Sequence, residues 1–483
     1  MTVTDVIVDG YVDGKVSELT SGGRLDTINP STGEVLAAVG HGCAQDVDVA
    51  VRSGHRAHLA WSRWKPSARG RILAAIADRL REQKQEFARL ESLDTGKPLS
   101  LSLGDVEVAA RYFEFYAGAA DKHHGEVIPL GPDWHAFTSH EPYGVVGIIL
   151  PWNAPLQQAA RGLGPALATG NAVVVKPAED APLTCLMLAR LATQCGLPDG
   201  VLNVVPGDGP TTGQALIHHE LVRRVMFTGS VEVGRLVARA AADRLIPAGL
   251  ELGGKSPNIV FPDADLDAAV EGSCLAITYN SGQACSAGSR LLVHSAIYDE
   301  FLSRLHARLS AVRVGHALDD PDIGPIATRE QYARVQSYLG QVRSSGATAL
   351  LEGPPSVLKD YPGGLYVAPT LLEAPHGSLL MREEIFGPVL VATRFTDDEQ
   401  AITLANDTDY GLVSGLWTRD INRAHHVASR LASGQVFVNN WFGGGVETPF
   451  GGYKNSGIGR EKGFEALAHY TQVKTTIFKL ASS

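Results

Sequence analysis

Four segments decide the fold: YGVVGIILPWN (143–153), NAVVVKPAE (171–179), GVLNVVPGDG (200–209) and RRVMFTGS (223–230). Each contains a short apolar run, at 145–150, 172–175, 201–205 and 224–227, followed by a helical stretch at 155–169, 182–195, 211–219 and 231–243. The runs start at 145, 172, 201 and 224, a spacing of 27, 29 and 23 residues. That rhythm of βαβ units predicts a parallel sheet with right-handed crossovers. The runs are continuous rather than alternating, as strands buried on both faces require. In such a sheet, ligands bind beyond the carboxyl ends of the strands. Here each end carries turn formers and polar groups: Pro151-Trp152-Asn153, Lys176-Pro177-Ala178-Glu179, Pro206-Gly207-Asp208-Gly209 and Thr228-Gly229-Ser230.

Upstream, residues 46–120 read as helices. Ile72, Leu73, Ile76, Leu80, Phe87 and Leu90 form one apolar stripe with charges between them, and 105–116 continues in that mode. These positions are read as core. Downstream, a second α/β pattern spans about 255–455, with strands near 256–261, 289–293, 389–395 and 435–438. The tail at 470–479 is β-rich. A lone terminal strand needs a partner sheet, and 124–142 is the candidate hairpin.

The 483 residues suffice for several packed cores without disulfide or metal staples. With 42 Lys and Arg against 52 Asp and Glu, the formal net charge is −10, and no basic cluster stands out. That argues against nucleic acid as a partner. The most apolar stretch, 143–152, is half the ~20 residues a membrane helix needs and is broken by Gly144, Gly147 and Pro151. The opening MTVTDVIVDG has no basic segment leading into an apolar one, so no secretory signal is expected. Cys43, Cys185, Cys195, Cys274 and Cys285 form an odd, sparse set without CxxC spacing, as reduced thiols in a cytoplasm would.

The dinucleotide fingerprint GxGxxG is absent after the 224–227 strand. Gly229 lets the turn close there. Ser230 either caps the next helix or, with its free N–H groups, holds a phosphate. Cys285 lies in SGQACSAGS (281–289), where small neighbours leave its thiol open. It is either an inert buried thiol or a nucleophile toward an electron-poor carbonyl. Glu251 follows an apolar segment and precedes a Gly-Gly turn. It is either a structural ion-pair partner or a desolvated carboxylate acting as general base. The His pairs at 123–124 and 218–219 lack i,i+4 ligand spacing, and no metal site is read.

Together the segments closely resemble the aldehyde dehydrogenase superfamily, in the right order over nearly the whole chain. The matching motifs are PWN (151–153), KPAE (176–179), FTGS (227–230), ELGGKSP (251–257), GQACSAGSR (282–290), EEIFGPV (383–389) and PFGGYKNSGIGRE (449–461). The resemblance implies an α/β fold in three parts. These are a Rossmann-like NAD-binding domain over 1–122 and 143–252, an α/β catalytic domain over 253–454, and a small β oligomerisation element from 123–142 and 455–483. It implies a homodimer or homotetramer acting on a small-molecule aldehyde. Cys285 would attack the aldehyde carbon, with the Asn153 amide and the Cys285 N–H forming an oxyanion hole. Hydride would pass to the nicotinamide, and water activated by Glu251 would hydrolyse the thioester.

The same resemblance implies the cofactor contacts Ile149, Pro151, Trp152, Lys176, Glu179, Gly209, Gly213, Phe227, Thr228, Gly229, Ser230, Val233, Leu252, Glu384 and Phe386. Lys176 and Glu179 would meet the adenosine ribose, Ser230 the pyrophosphate, and Glu384 and Phe386 the nicotinamide ribose. Glu179 facing a 2′-phosphate would disfavour NADP. Glu461 matches a carboxylate proposed in several relatives to relay protons. Many relatives place a Lys where this chain has Gly162, so Glu461 lacks that partner.

The implied substrate lining is Ala154, Gln158, Arg161, Tyr279, Ala284, Ser286, Phe442, Gly444 and Phe450. Three aromatics and several small residues suit an aromatic or polar-substituted aldehyde, or a semialdehyde. Many relatives carry a large aromatic in place of Arg161. A buried guanidinium needs an acceptor: either a polar group on the substrate or a neighbouring carboxylate such as Glu461. Two rival readings are a CoA-acylating enzyme and a catalytically silent homologue. The first generally lacks a carboxylate at Glu251; the second would be expected to have lost Cys285 or Glu251.

Overall fold

The computed structural model describes residues 8–480. Residues 1–7, which open the segment read for a leader, lie outside that span. The four apolar runs form the centre of an eight-stranded sheet. Val145–Ile149 pairs in parallel with Ala172–Lys176 on one side and with Val222–Thr228 on the other. Leu202–Val204 extends the first side and Ala248–Glu251 the second, both in parallel. Gly10–Val12, Lys15–Ser17 and Gly457–Ile458 complete the two edges as antiparallel strands.

Both faces of this sheet are covered, which is why its strands are unbroken apolar runs. Val146, Ile148, Val173 and Val175 pack against the helices Pro66–Glu82, Leu99–Ala119, Pro155–Ala168 and Leu183–Gln194. Val145, Ile149, Val174, Val225 and Phe227 pack against Ala44–Trp61, Gln214–His218 and Val231–Asp243. The stripe at 71–93 is buried as read, but it is carried by two helices. Pro66–Glu82 ends where Gln83 leaves helical geometry, and Lys84–Thr95 begins there.

The chain leaves Val145–Ile149 toward one edge, then returns to its other side at Val222–Thr228. Between those neighbours lies a topological switch point, with a crevice outside the strand ends where α/β sheets take ligands. Asn153 and Ser230 follow these two strands.

Residues 252–256 connect this sheet to a second, seven-stranded one. Within it Pro257–Val260 pairs in parallel with the central strand Arg290–His294 and with Val413–Trp417. Val389–Phe395, Thr370–Glu373 and Gln435–Val438 add further parallel strands, and Thr348–Leu351 an antiparallel edge. The tail strand Thr471–Lys479 pairs antiparallel along all of Trp134–Pro142, which also pairs with Val127–Ile128. Among the described residues no helix is long and apolar enough to cross a membrane.

Candidate active site

Two lead-in segments meet because the strands that follow them pair. Glu251 lies six residues before Pro257 and Cys285 five before Arg290, and Pro257 stands opposite Arg290 in the parallel ladder. The segments are in contact at backbone level. A Cβ on Gly254 would lie 2.3 Å from the Cys285 carbonyl oxygen, and one on Gly253 would lie 2.2 Å from Glu384 Oε2. At 254 no side chain fits against that backbone carbonyl; at 253 one would displace the Glu384 carboxyl. Gly254 N–H donates to Glu384 Oε1 at 2.9 Å, tying a third segment to the same point.

The loop before the cysteine is wound tightly, with Asn280 and Ser281 both at positive φ, 49° and 57°. Such backbone persists only where its surroundings over-determine it. Ser281 Oγ donates to the Gly324 carbonyl at 2.8 Å, and Gln283 accepts from Ala327 N–H at 2.8 Å. Asn280 Nδ2 donates to the Asn153 carbonyl at 3.0 Å, and Asn153 Nδ2 to the Gln283 carbonyl at 2.9 Å. Asn153 is thereby fixed to the cysteine loop itself.

Around Cys285 lies a buried charge cluster. Arg161 forms an ion pair with Glu461 and stands 3.6 Å from Glu251. Its guanidinium also lies 4.7 Å from the Phe450 ring centre. Phe450 and Glu461 exchange two backbone hydrogen bonds of 2.7 Å, which sets ring and carboxylate side by side. Burial pushes the Glu251 carboxyl well above the usual range; Arg161 opposes the shift and Glu461 adds to it. Burial pushes the Cys285 thiol up to about 12, again against the pull of Arg161. Of the two acceptors open to Arg161, the structure supplies the carboxylate. Gly162 on the same helix faces the sheet, where a Cβ would lie 2.9 Å from Ile148 Cδ1.

Cys285 opens onto a cavity of about 460 Å³, and all nine residues read as substrate lining border it: Ala154, Gln158, Arg161, Tyr279, Ala284, Ser286, Phe442, Gly444 and Phe450. Ala154, Gln158 and Arg161 share one helix face through i,i+4 and i,i+3 steps. The sequence reading missed Lys97, Arg111, Tyr112, Glu447 and Lys462 on the same walls. Arg111 and Tyr112 belong to Leu99–Ala119, whose periodicity announced only a core stripe. No pattern in the sequence tells which polar residue of such a helix turns inward.

The residues read as cofactor contacts gather at the strand ends of the first sheet. Ser230 caps the exposed start of Val231–Asp243, accepting from Val233 N–H at 3.3 Å. Gly229 has no room for a Cβ, which would meet the Phe227 ring at 2.5 Å. Thr228 pairs with Glu251, and Ile149 with Phe227, in the parallel ladders. Lys176 and Glu179 are ion-paired at 2.6 Å, the lysine buried and Glu179 half-buried. Gly209 and Gly213 bound one wide turn, a start the helix reading of 211–219 did not anticipate. Leu252 is buried, and Pro151 and Trp152 are half-buried. Trp152 meets Phe386 edge to face at 5.4 Å. Burial pushes Glu384 up to about 7 against its hydrogen bond from Gly254.

The profile of the aldehyde dehydrogenase family matches residues 18–476. The chain belongs to the aldehyde dehydrogenase family. It is 42% identical over 477 residues to the mitochondrial aldehyde dehydrogenase of Homo sapiens, covering 97% of this chain and 92% of that one. It is 43% identical over 479 residues to aldehyde dehydrogenase 1 of Tanacetum cinerariifolium, covering 98% and 95%. Among solved structures, betaine aldehyde dehydrogenase of Staphylococcus aureus in complex with NAD+ superposes with a TM-score of 0.97 at 37% identity, covering 100% and 97%. PnpE of Pseudomonas sp. WBC-3, in complex with nicotinamide adenine dinucleotide, gives 0.97 at 41% identity, covering 99% and 98%.

The clearance at Gly254 makes a direct prediction. Gly254→Ala must push the Cys285 backbone aside, so alkylation of Cys285 by iodoacetamide should slow at least tenfold while the protein stays folded. Peptide mass spectrometry with circular dichroism checks both; an unchanged alkylation rate would show that the contact does not hold the cysteine.

Proposed function

We propose that this protein oxidises an aldehyde to the carboxylic acid with NAD+, through a thioester on Cys285. The observation that carries this reading is Cys285 at the cavity wall, tied to Asn153 through its own loop and flanked by the buried carboxylate of Glu251. Sulfur attack on the aldehyde carbon forms the C–S bond and leaves the carbonyl electrons on oxygen. Asn153 has two N–H donors. Gln283 takes one, which leaves the second for that oxygen, beside the Cys285 N–H. Fixed donors in a water-poor site stabilise the developing charge strongly. The thiol proton passes to Glu251 in the same cluster.

The crevice suits a dinucleotide. It combines an exposed helix start at Ser230, glycines where a side chain would clash, and a buried Glu384 beside the cysteine loop. Bound NAD+ supplies the acceptor for the hydride that leaves the substrate carbon. Glu384 and Phe386 would hold the nicotinamide ribose, Lys176 and Glu179 the adenosine ribose. Once Glu251 has given the thiol proton up toward solvent, it takes a proton from water, whose oxygen adds to the thioester carbon as the C–S bond breaks and the electrons of that bond return to sulfur. Arg161, 3.6 Å away, attracts the Glu251 carboxylate, and the neighbouring Glu461 carboxylate can take up the proton that Glu251 releases. We assign the cofactor domain to 1–122 and 143–252, the catalytic domain to 253–454, and oligomerisation to 123–142 and 455–483. The exposed Val473, Ile477 and Phe478 on the tail strand at the edge of its sheet support a dimer or tetramer built there.

Three outcomes test this reading. Cys285→Ala should abolish NADH formation from any aldehyde while retaining NAD+ binding by calorimetry; turnover at a comparable rate would exclude the thioester. Glu251→Gln should give a rapid NADH burst and then a steady state slower by about 10²–10⁴-fold, the worth of a general base. Because burial raises the Glu251 pKa, the wild-type steady-state rate should rise with pH as that carboxyl deprotonates, and this rise should vanish in the variant. In cofactor competition, kcat/KM should favour NAD+ over NADP+ by at least tenfold, and Glu179→Gln should narrow the gap; equal values in the wild type would remove Glu179 from cofactor selection.

A further inference from the structure

Four cations and one carboxylate line the cavity: Lys97, Arg111, Arg161, Lys462 and Glu447. Three of the cations are matched. Lys97 is paired with Asp105 and stands 3.6 Å from Glu91. Arg111 is paired with Glu114 and with Glu447, which uses the one carboxylate of the lining. Arg161 is paired with Glu461 and faces Glu251. Lys462 has no ion pair and no hydrogen bond among the described residues; its ammonium lies 5.2 Å from the Phe450 ring centre.

Lys462 also sits at a positive φ of 60°, a conformation that residues other than glycine adopt at a cost. It directly follows Glu461, so the backbone bridge from Phe450 to Glu461 fixes where it starts. The charges of Arg161, Glu461 and Glu251 bear on it and it acts in turn on Glu447, which places it close to the reacting centre, with none of these carboxylates within ion-pair distance. Burial lowers it to about 8; Arg161 adds to the shift, and Glu461 and Glu251 oppose it.

We propose that Lys462 is a specificity-determining residue that receives an anionic group of the substrate. The preferred class is then an aldehyde carrying a carboxylate a few atoms from the reacting carbon. This rests on the dehydrogenase reading above for the reaction but not for the binding. A neutral aldehyde leaves the ammonium unmatched in the wall; a carboxylate supplies the missing partner through a charge-assisted hydrogen bond. The aromatic neighbours Tyr279 and Phe442, 4.8 Å apart, cover the apolar part of such a substrate.

The test compares wild type with Lys462→Met and Lys462→Gln on two readouts. The first is kcat/KM for succinic semialdehyde and 4-carboxybenzaldehyde against pentanal and 4-methylbenzaldehyde. Wild type should prefer the anionic member of each pair, and both variants should lower that preference by about tenfold or more, the worth of one charge-assisted hydrogen bond. The second needs no dehydrogenase activity: the rate at which Cys285, followed by peptide mass spectrometry, is alkylated by iodoacetate relative to iodoacetamide. That ratio should fall by a similar factor in the variants. If alkylation responds but no aldehyde yields NADH, the dehydrogenase reading fails and the anion site stands. If the wild type treats anionic and neutral partners alike on both readouts, or the variants leave both ratios unchanged, the proposal is overturned.

Discussion

The site depends on one constraint, the absence of any clearance at Gly253 and Gly254. There the connector between the two sheets runs against the Cys285 carbonyl on one side and the Glu384 carboxylate on the other. A methyl group at 254 would run into the Cys285 backbone carbonyl, so only glycine keeps the connector against the cysteine loop, and one at 253 would push aside the Glu384 carboxyl that binds Gly254 N–H. Their positions are set by the sheets: the register of Pro257 opposite Arg290 fixes how the connector and the cysteine loop pass each other. A slip of one residue would turn every side chain of that strand to the opposite face. Core packing of the second sheet is thus what aims the thiol.

The charge cluster follows from the same closeness. Glu251 and Glu461 are two buried carboxylates near one guanidinium, and three charges of that kind are not left unmatched in a water-poor interior. Arg161 pairs with Glu461; burial raises the Glu251 pKa, which makes its carboxylate a stronger proton acceptor. A carboxyl that protonates easily and still has a cation beside it can accept a proton in one step and release it in the next. Breaking the buried pair would leave an uncompensated charge, so Arg161 matters to the fold as well as to the chemistry.

The parallel sheets were legible because buried strands are unbroken apolar runs, and 145–150, 172–175, 201–205 and 224–227 all became strands of one sheet. Val413–Trp417 escaped the reading although every residue in it is buried. Ser414 and Gly415 interrupt its apolar character, and Gly415 is small because the Trp441 ring packs 2.2 Å from where its Cβ would stand. The N-terminal strands Gly10–Val12 and Lys15–Ser17 were missed because three residues carry too little periodicity. In the site, the motifs pointed to Cys285 and to nine residues that border one cavity, and to Glu251 and Glu461, which pack behind its wall around Arg161. They were silent on Lys462, whose importance arises only from what does not surround it.

One turn of the helix Pro155–Ala168 shows why position and chemistry cannot be separated here. Successive residues on a helix point about 100° apart. Position 162 therefore faces the strand and meets Ile148 and Tyr470, while position 161 faces Glu461 and the cavity. A lysine at 162 would need Ile148 to give way, and that side chain is part of the sheet core. With the cation at 161, Ile148 stays where it is and the guanidinium lies between Glu461 and the Phe450 ring, at the wall of the cavity. The cation beside the carboxylates is therefore also part of the cavity wall. A substrate anion entering the cavity would meet Arg161 already ion-paired with Glu461, and Lys462 with no ion pair among the described residues.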